Sequence, residues 1–128
     1  MAKTIATILG VVFLLVGLLG FAMPTLMGAH LTPAHNVVHL VSGAISLYLG
    51  LKGSVSAARM FGLVFGGIYL LLGIAGFALG TPQTHDGTTE TVFTVIPGVL
   101  VFGQTDNIIH IALGAIYLIG GLLTKTGD

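Results

Sequence analysis

Four long apolar segments dominate the sequence and determine the class of protein. They cover residues 5–23, 36–51, 60–79 and 107–123. Each approaches the length of about 20 residues that an α-helix needs to cross a bilayer. In lipid, every backbone N–H and C=O must be satisfied within the segment, which favours helices. The chain is 55% hydrophobic and only 6% charged, so it cannot build a water-facing surface of the usual composition. The sequence predicts an all-α, four-transmembrane-helix bundle in one membrane domain, residues 1–128.

The charged residues predict how these helices are oriented. Cations flank the same ends of all four segments: Lys3, Lys52, Arg59 and Lys125. The positive-inside rule assigns those ends to the cytoplasm. Both termini are therefore predicted to be cytoplasmic, and loops 24–34 and 80–105 extracytoplasmic. Zero net charge without a basic run argues against a nucleic-acid partner and leaves the lipid bilayer as the predicted one.

The two halves of the sequence repeat one another. Residues 14–22 (LLVGLLGFA) align with residues 70–78 (LLLGIAGFA), and residues 36–39 (NVVH) align with residues 107–110 (NIIH). The pattern predicts two parallel repeats of a helical hairpin, residues 1–55 and 56–128, related by a pseudo-two-fold axis along the membrane normal. Small residues at helical spacing predict the packing faces. Such faces also serve contacts between chains, so a homo-oligomer or a larger membrane complex is compatible with the sequence.

Three histidines and one aspartate form the candidate site. His35 and His39 lie one turn apart on one face of the second helix, and Asp106 and His110 occupy the equivalent positions of the fourth. The predicted axis brings His39 close to His110, about one turn below the outer helix ends. Three imidazoles and a carboxylate suit a zinc ion, or a copper ion in a flatter geometry. The predicted metal ligands are His35, His39, Asp106 and His110. Loop histidines that could also reach the ion are His30 and His85.

The same two helices suggest a second cofactor. His39 and His110 could ligate the iron of a haem-like tetrapyrrole between the helices. Gly43 and Gly114, one turn deeper, would leave a slot for a flat ring. The chain has no cysteine, so covalent haem attachment through a Cys-x-x-Cys-His motif is excluded.

A purely structural interpretation explains the same residues. Asp106 is a natural N-cap for the fourth helix, accepting from the N–H of Ile108 or Ile109. Asn36 and Asn107 can hydrogen-bond loop carbonyls, and neutral histidines can bridge helices for about 1 kcal/mol each. On this interpretation the repeated motif clamps the outer end of the bundle.

The chain resembles a bacterial family of small four-helix membrane proteins that is catalogued as a domain of unknown function. The resemblance rests on HNVVHL at residues 35–40, AAR at 57–59, IYLLLG at 68–73 and DNIIH at 106–110. The paired Asn-x-x-His motifs are its most specific part. It implies the fold and a bacterial inner-membrane location, and it supplies no reaction or substrate.

Three functional hypotheses follow from the sequence. The first is a structural or accessory membrane component, and the second is a protein that binds a transition metal or a tetrapyrrole on the outer side. The third is a membrane oxidoreductase that uses such a cofactor in electron transfer, and it depends on the second. A transmembrane pump is poorly supported, because below His39 and His110 the inner half offers only hydroxyl groups.

Overall fold

Four long helices form the body of the protein in a computed structural model that describes residues 1–85 and 87–125. They are α1 (Ala2–Ala22), α2 (Pro33–Lys52), α3 (Val55–Leu79) and α4 (Gln104–Leu123). All four are long and apolar enough to cross a membrane. The predicted four-helix architecture is confirmed.

Polar residues extend three of these helices beyond the apolar segments. The hydroxyl of Thr32 accepts the N–H of His35, and Pro33 occupies the first turn, so α2 starts three residues before the apolar run. The hydroxyl of Ser54 accepts the N–H of Ala57 and starts α3 five residues early. In α4, Gln104 begins the helix.

The loop between α3 and α4 contains a small sheet that the all-α prediction did not include. Strands β1 (Thr81–His85), β2 (Thr88–Ile96) and β3 (Leu100–Phe102) form an antiparallel sheet in the order β1-β2-β3. The apolar stretch 92–102 forms the end of β2, a turn and β3. Gly98 has a φ of 73°, which a residue without Cβ adopts at no steric cost. Valine and threonine in β2 favour the extended conformation.

The helices pack most closely within each hairpin, α1 on α2 and α3 on α4. Glycines allow this approach. A Cβ added to Gly10 would lie 2.6 Å from the backbone N of Leu47, and one added to Gly66 would lie 2.8 Å from the carbonyl oxygen of Gly114. The small-residue faces are therefore filled by neighbouring backbone, as membrane helix packing requires.

An aromatic core joins the two hairpins. The rings of Phe13 and Tyr69 lie 5.6 Å apart, and Phe65 packs against both. One level deeper, the hydroxyls of Ser46 and Tyr117 lie 2.8 Å apart, and Ser46 Oγ lies 2.7 Å from the carbonyl oxygen of Ala6, to which it donates. This core forms the floor beneath the histidines.

Large apolar side chains cover the outer surface of the bundle. Leu18, Leu71 and Leu122 are each more than 60% exposed. Exposure of this extent over all four helices suits a lipid environment, since a water-soluble monomer rarely carries such a continuous apolar surface.

Candidate metal centre

Three buried imidazoles converge at the end of the bundle where α2 and α4 begin. His35 and His39 come from the first two turns of α2, and His110 comes from α4. One ring nitrogen from each lies within 4.8 Å of the others, and the side chains are 2%, 6% and 2% exposed. The i, i+4 spacing places the first pair on one helix face. The structure thus brings together three of the four residues that the sequence singled out as metal ligands.

The orientation of His35 is fixed by the loop that precedes α2. Its Nδ1 lies 2.9 Å from the carbonyl oxygen of His30. A carbonyl can only accept, so Nδ1 carries the hydrogen and Nε2 keeps the lone pair of the neutral ring. Metal-bound histidines commonly donate their second nitrogen to a backbone carbonyl in this way.

His39 and His110 each contain a buried nitrogen without a partner. The Nδ1 atom of each ring is inaccessible and has no hydrogen bond to any residue of the described chain. Leaving such an atom unpaired in an apolar environment costs about 1–3 kcal/mol. The cluster therefore contains two equivalent imidazole nitrogens that no residue of the described chain uses as hydrogen-bond partners.

Aromatic rings enclose the cluster on several sides. Phe13 lies 5.4 Å from His39, and Tyr69 lies 5.1 Å from His110, in centroid separation. Phe102 of β3 meets both His35 and His110 edge to face, at 5.1 and 4.8 Å. Phe102 was not singled out in the sequence, because only the return of β3 over the helix ends brings it there.

Asp106 supports the site from above. It is the third residue of α4, and its Oδ2 lies 2.9 Å from the backbone N of Gly103 and 2.9 Å from the backbone N of His30. It does not belong to the group of ligand atoms that lie within metal-binding distance of one another. Its expected bonds to Ile108 or Ile109 are replaced by these two, because the helix begins three residues earlier than the apolar segment.

The α1–α2 loop and the α3–α4 loop are hydrogen-bonded to each other and cover the histidines, and we call this cover the roof. The roof comprises residues 29–32 of the first loop and Glu90, Val99 and Phe102 of the second. Glu90 accepts the N–H of Gln104 at 2.9 Å, and its other oxygen lies 3.4 Å from His30 Nε2. The hydroxyl of Thr32 donates to the carbonyl of Val99. His30 therefore acts on the cluster through its backbone carbonyl. The side chain of His85 lies outside the described part of the structure.

Asn36 and Asn107 are almost fully buried against glycines. Asn36 Nδ2 lies 3.4 Å from the carbonyl oxygen of Leu31, to which it donates, as expected for a loop clamp. Neither polar atom of Asn107 has a partner within the described residues. The two amides lie so close to Gly20 and Gly76 that a Cβ at either glycine would collide with them. In each hairpin the asparagine of one helix therefore packs against a glycine of the other, at the end of the bundle where the histidines lie.

Gly43 and Gly114 do not form a slot for a flat ring. A Cβ at Gly43 would lie 2.9 Å from the carbonyl oxygen of Gly10 and 2.9 Å from the backbone N of Leu14. A Cβ at Gly114 would lie 2.7 Å from the carbonyl oxygen of Gly66. Helix backbones occupy the space that the tetrapyrrole hypothesis needs, so that hypothesis loses one of the two features that suggested it.

Comparison with known proteins identifies a family. A family model described as a domain of unknown function (DUF4383) matches residues 3–123. The chain therefore belongs to this family. Comparisons with curated proteins and with solved structures gave no significant match.

Proposed function

We propose that the protein binds one divalent transition-metal ion through His35, His39 and His110, on the extracytoplasmic side of a bacterial cytoplasmic membrane. The convergence of three buried imidazoles, two of which contain an unpaired nitrogen, carries the proposal. Ionisable groups within the membrane are costly, and their presence suggests a function.

The spacing of the nitrogens is close to that of a bound ion. Zn–N bonds of about 2.0–2.1 Å in a tetrahedral site place ligand nitrogens roughly 3.3 Å apart. Nitrogens that already lie within 4.8 Å must close by at most 4.8 − 3.3, or about 1.5 Å, which small side-chain rotations supply. His35 and His39 also have the i, i+4 spacing that is typical of a pair of zinc ligands on one helix.

The donor set favours zinc or copper. Three neutral imidazoles without a thiolate suit Zn²⁺ and Cu²⁺, and both lie at the strong end of the affinity order for divalent metals. A dication also needs negative charge nearby in an apolar environment. The acidic side chains that the structure describes, Glu90 and Asp106, both lie in or beside the roof. Asp106 accepts the N–H of His30, and the carbonyl of His30 accepts from His35 Nδ1, so one loop residue is bonded both to a carboxylate and to a proposed ligand.

The orientation of the chain in the membrane and its two hairpin repeats are part of the same proposal. All four cations flank the helix ends opposite the histidines, which supports an extracytoplasmic site. Residues at equivalent positions of the two sequence halves also contact one another. Phe13 meets Tyr69, Ser46 meets Tyr117, and His39 joins His110 in the cluster. Contacts between equivalent positions are what a two-fold axis through the bundle centre requires, and they support two hairpin repeats, 1–55 and 56–128.

Metal titration of the purified protein tests the proposal. Protein in mild detergent is stripped with a chelator, exchanged into buffer, and titrated with Zn²⁺ or Cu²⁺, and bound metal is measured by elemental analysis. We expect one ion per chain, lost in His39→Ala and in His110→Ala. Ser46→Ala is the matched control, because it removes a buried polar side chain two turns below the cluster and leaves the three imidazoles intact.

The structural hypothesis predicts a different outcome. A clamp without a cofactor would leave the wild-type protein metal-free. The histidine variants would then only melt at a lower temperature, as we also expect of Ser46→Ala. A Soret band in the absorption spectrum of the protein as isolated would instead support a tetrapyrrole. Either result contradicts the three-histidine metal site.

A further inference from the structure

An apolar cavity of about 300 Å³ lies beside the histidine cluster, between α1 and α4. Val12, Phe13 and Val16 of α1 form one wall, and Ile109 and Leu113 of α4 form the other. All three histidines line it, so the cavity ends at the proposed metal site. We call it the α1–α4 cavity.

This cavity reaches the side of the bundle rather than its outer end. Val12 and Ile109 are 40% and 39% exposed, and they lie on the helix surfaces that face lipid. At the end of the bundle covered by the roof, the buried side chains of Ala29 and Leu31, which belong to the roof, close the cavity. A molecule would therefore enter from the bilayer and not from the aqueous phase.

A second cavity, of about 290 Å³, occupies the corresponding place between α2 and α3. It is lined by His35 and His110 but not by His39, and Ser42 and Leu72 form part of its wall. Of these two cavities, the α1–α4 cavity is the one that all three imidazoles line, which makes it the better route to a metal ion held by them. The second cavity supplies a matched control.

The metal site itself would have room for one more ligand. Zinc sites with three histidines keep a fourth position for water or substrate, which distinguishes them from closed structural sites. Apart from the three imidazoles and Asp106, the residues that line the α1–α4 cavity are apolar. A molecule that brings a donor atom to this position through the cavity must therefore have a largely apolar remaining surface. A cavity of this size is at the small end of ligand pockets and takes a single ring or a short chain.

We infer that the α1–α4 cavity admits an apolar small molecule from the bilayer and presents one oxygen, nitrogen or sulfur donor of that molecule to the metal. This inference rests on the proposed metal site and names the class of ligand that the site takes. Any longer tail of the ligand remains in the lipid between α1 and α4.

The test uses the full chain, loaded with Co²⁺ and reconstituted in phosphatidylcholine vesicles. Cobalt content is measured first. Two thiols then serve as probes. Hexane-1-thiol partitions into the bilayer, whereas 2-mercaptoethanesulfonate stays in water. A thiol that binds cobalt as thiolate releases its proton to the buffer and gives a sulfur-to-cobalt charge-transfer band. We expect the band with hexane-1-thiol and none with the sulfonate at equal concentration.

Two variants at equivalent positions of the sequence halves locate the entry. Val16→Phe fills the α1–α4 cavity, and Leu72→Phe fills the second cavity. We expect Val16→Phe to weaken hexane-1-thiol binding by about tenfold or more, a loss of roughly 1.4 kcal/mol, with cobalt content unchanged. Leu72→Phe should bind the thiol as the wild type does.

The outcomes separate the inference from the proposed function. Cobalt bound at one ion per chain with equal bands from both thiols overturns lipid-side entry and leaves the metal site standing. The same holds if Val16→Phe retains full thiol affinity, or if only Leu72→Phe loses it. Failure to bind cobalt at all overturns the metal site and the inference with it.

Discussion

Gly66 and Gly67 are neighbours in α3 that face different surroundings. A Cβ at Gly66 would lie 2.8 Å from the carbonyl oxygen of Gly114, 2.8 Å from the backbone N of Leu118 and 2.8 Å from the Cβ of Tyr117. A Cβ at Gly67 would meet no heavy atom within 4 Å. Alanine at either position gains the same helix propensity over glycine, about 0.8–1 kcal/mol.

The magnitude follows from these distances. Carbon atoms in contact prefer about 3.5–4.0 Å, so Gly66→Ala requires α3 and α4 to separate by roughly 1 Å. The opposing atoms are backbone or next to backbone, so no rotamer change relieves the contact. Overpacking of this kind costs about 1–3 kcal/mol. The propensity gain cancels between the two variants, so Gly67→Ala should exceed Gly66→Ala in free energy of unfolding by about 1–3 kcal/mol.

Reversible unfolding in detergent micelles, followed by circular dichroism, measures this difference. Metal affinity provides a second readout, because Gly114 lies one turn below His110 and a displaced α4 moves that ligand. Gly66→Ala should bind the ion more weakly than Gly67→Ala does. Equal stability of the two variants would refute the close approach of α3 and α4. A lower stability of Gly67→Ala than of Gly66→Ala would contradict the predicted order of the two variants.

Two further predictions concern the roof. Phe102→Ala removes the ring that covers His35 and His110 and should admit water to the cluster. We therefore expect the bound ion to transfer to a chelator about tenfold faster or more, with little change in metal stoichiometry. Stopped-flow mixing with the chelator measures the transfer rate. Asp106→Asn keeps an oxygen that can accept from Gly103 and His30 but removes the negative charge, so it should weaken metal affinity in a calorimetric titration while the melting temperature changes little. Asp106→Ala should also lose about 1 kcal/mol of stability, because the hydrogen bonds from Gly103 and His30 are lost. Unchanged metal affinity in Asp106→Asn would show that the negative charge of Asp106 does not contribute to metal binding.

Much of the histidine cluster could be predicted from the sequence. The i, i+4 spacing placed His35 beside His39, and the repeated Asn-x-x-His motif placed His110 at the equivalent depth of the other hairpin. Both are local or periodic features, and hydrophobic patterning in a bilayer leaves few alternatives to a helix. The structure shows these three side chains within reach of one another.

The roof could not be predicted in the same way. Phe102 reaches the histidines only because Phe93 of β2 pairs with it in the sheet, and strand register depends on the turn between the strands. The bond from Gln104 to Glu90 joins residues of the sheet and the helix, and no periodic pattern signals it. The role of Asp106 changed because Gly103 moved the start of α4 upstream, and helix ends are the least certain part of a sequence-based prediction.

X-ray absorption spectroscopy of the zinc-loaded protein tests the central claim most directly. The extended fine structure counts the ligands and recognises imidazole by its outer-shell scattering. The three-histidine site predicts nitrogen or oxygen donors at about 2.0–2.1 Å with three imidazoles per zinc, falling to two in His110→Ala if that variant retains any ion. A first shell of water or carboxylate oxygens with at most one imidazole would contradict the account, because the ion would then lie outside the cluster of His35, His39 and His110.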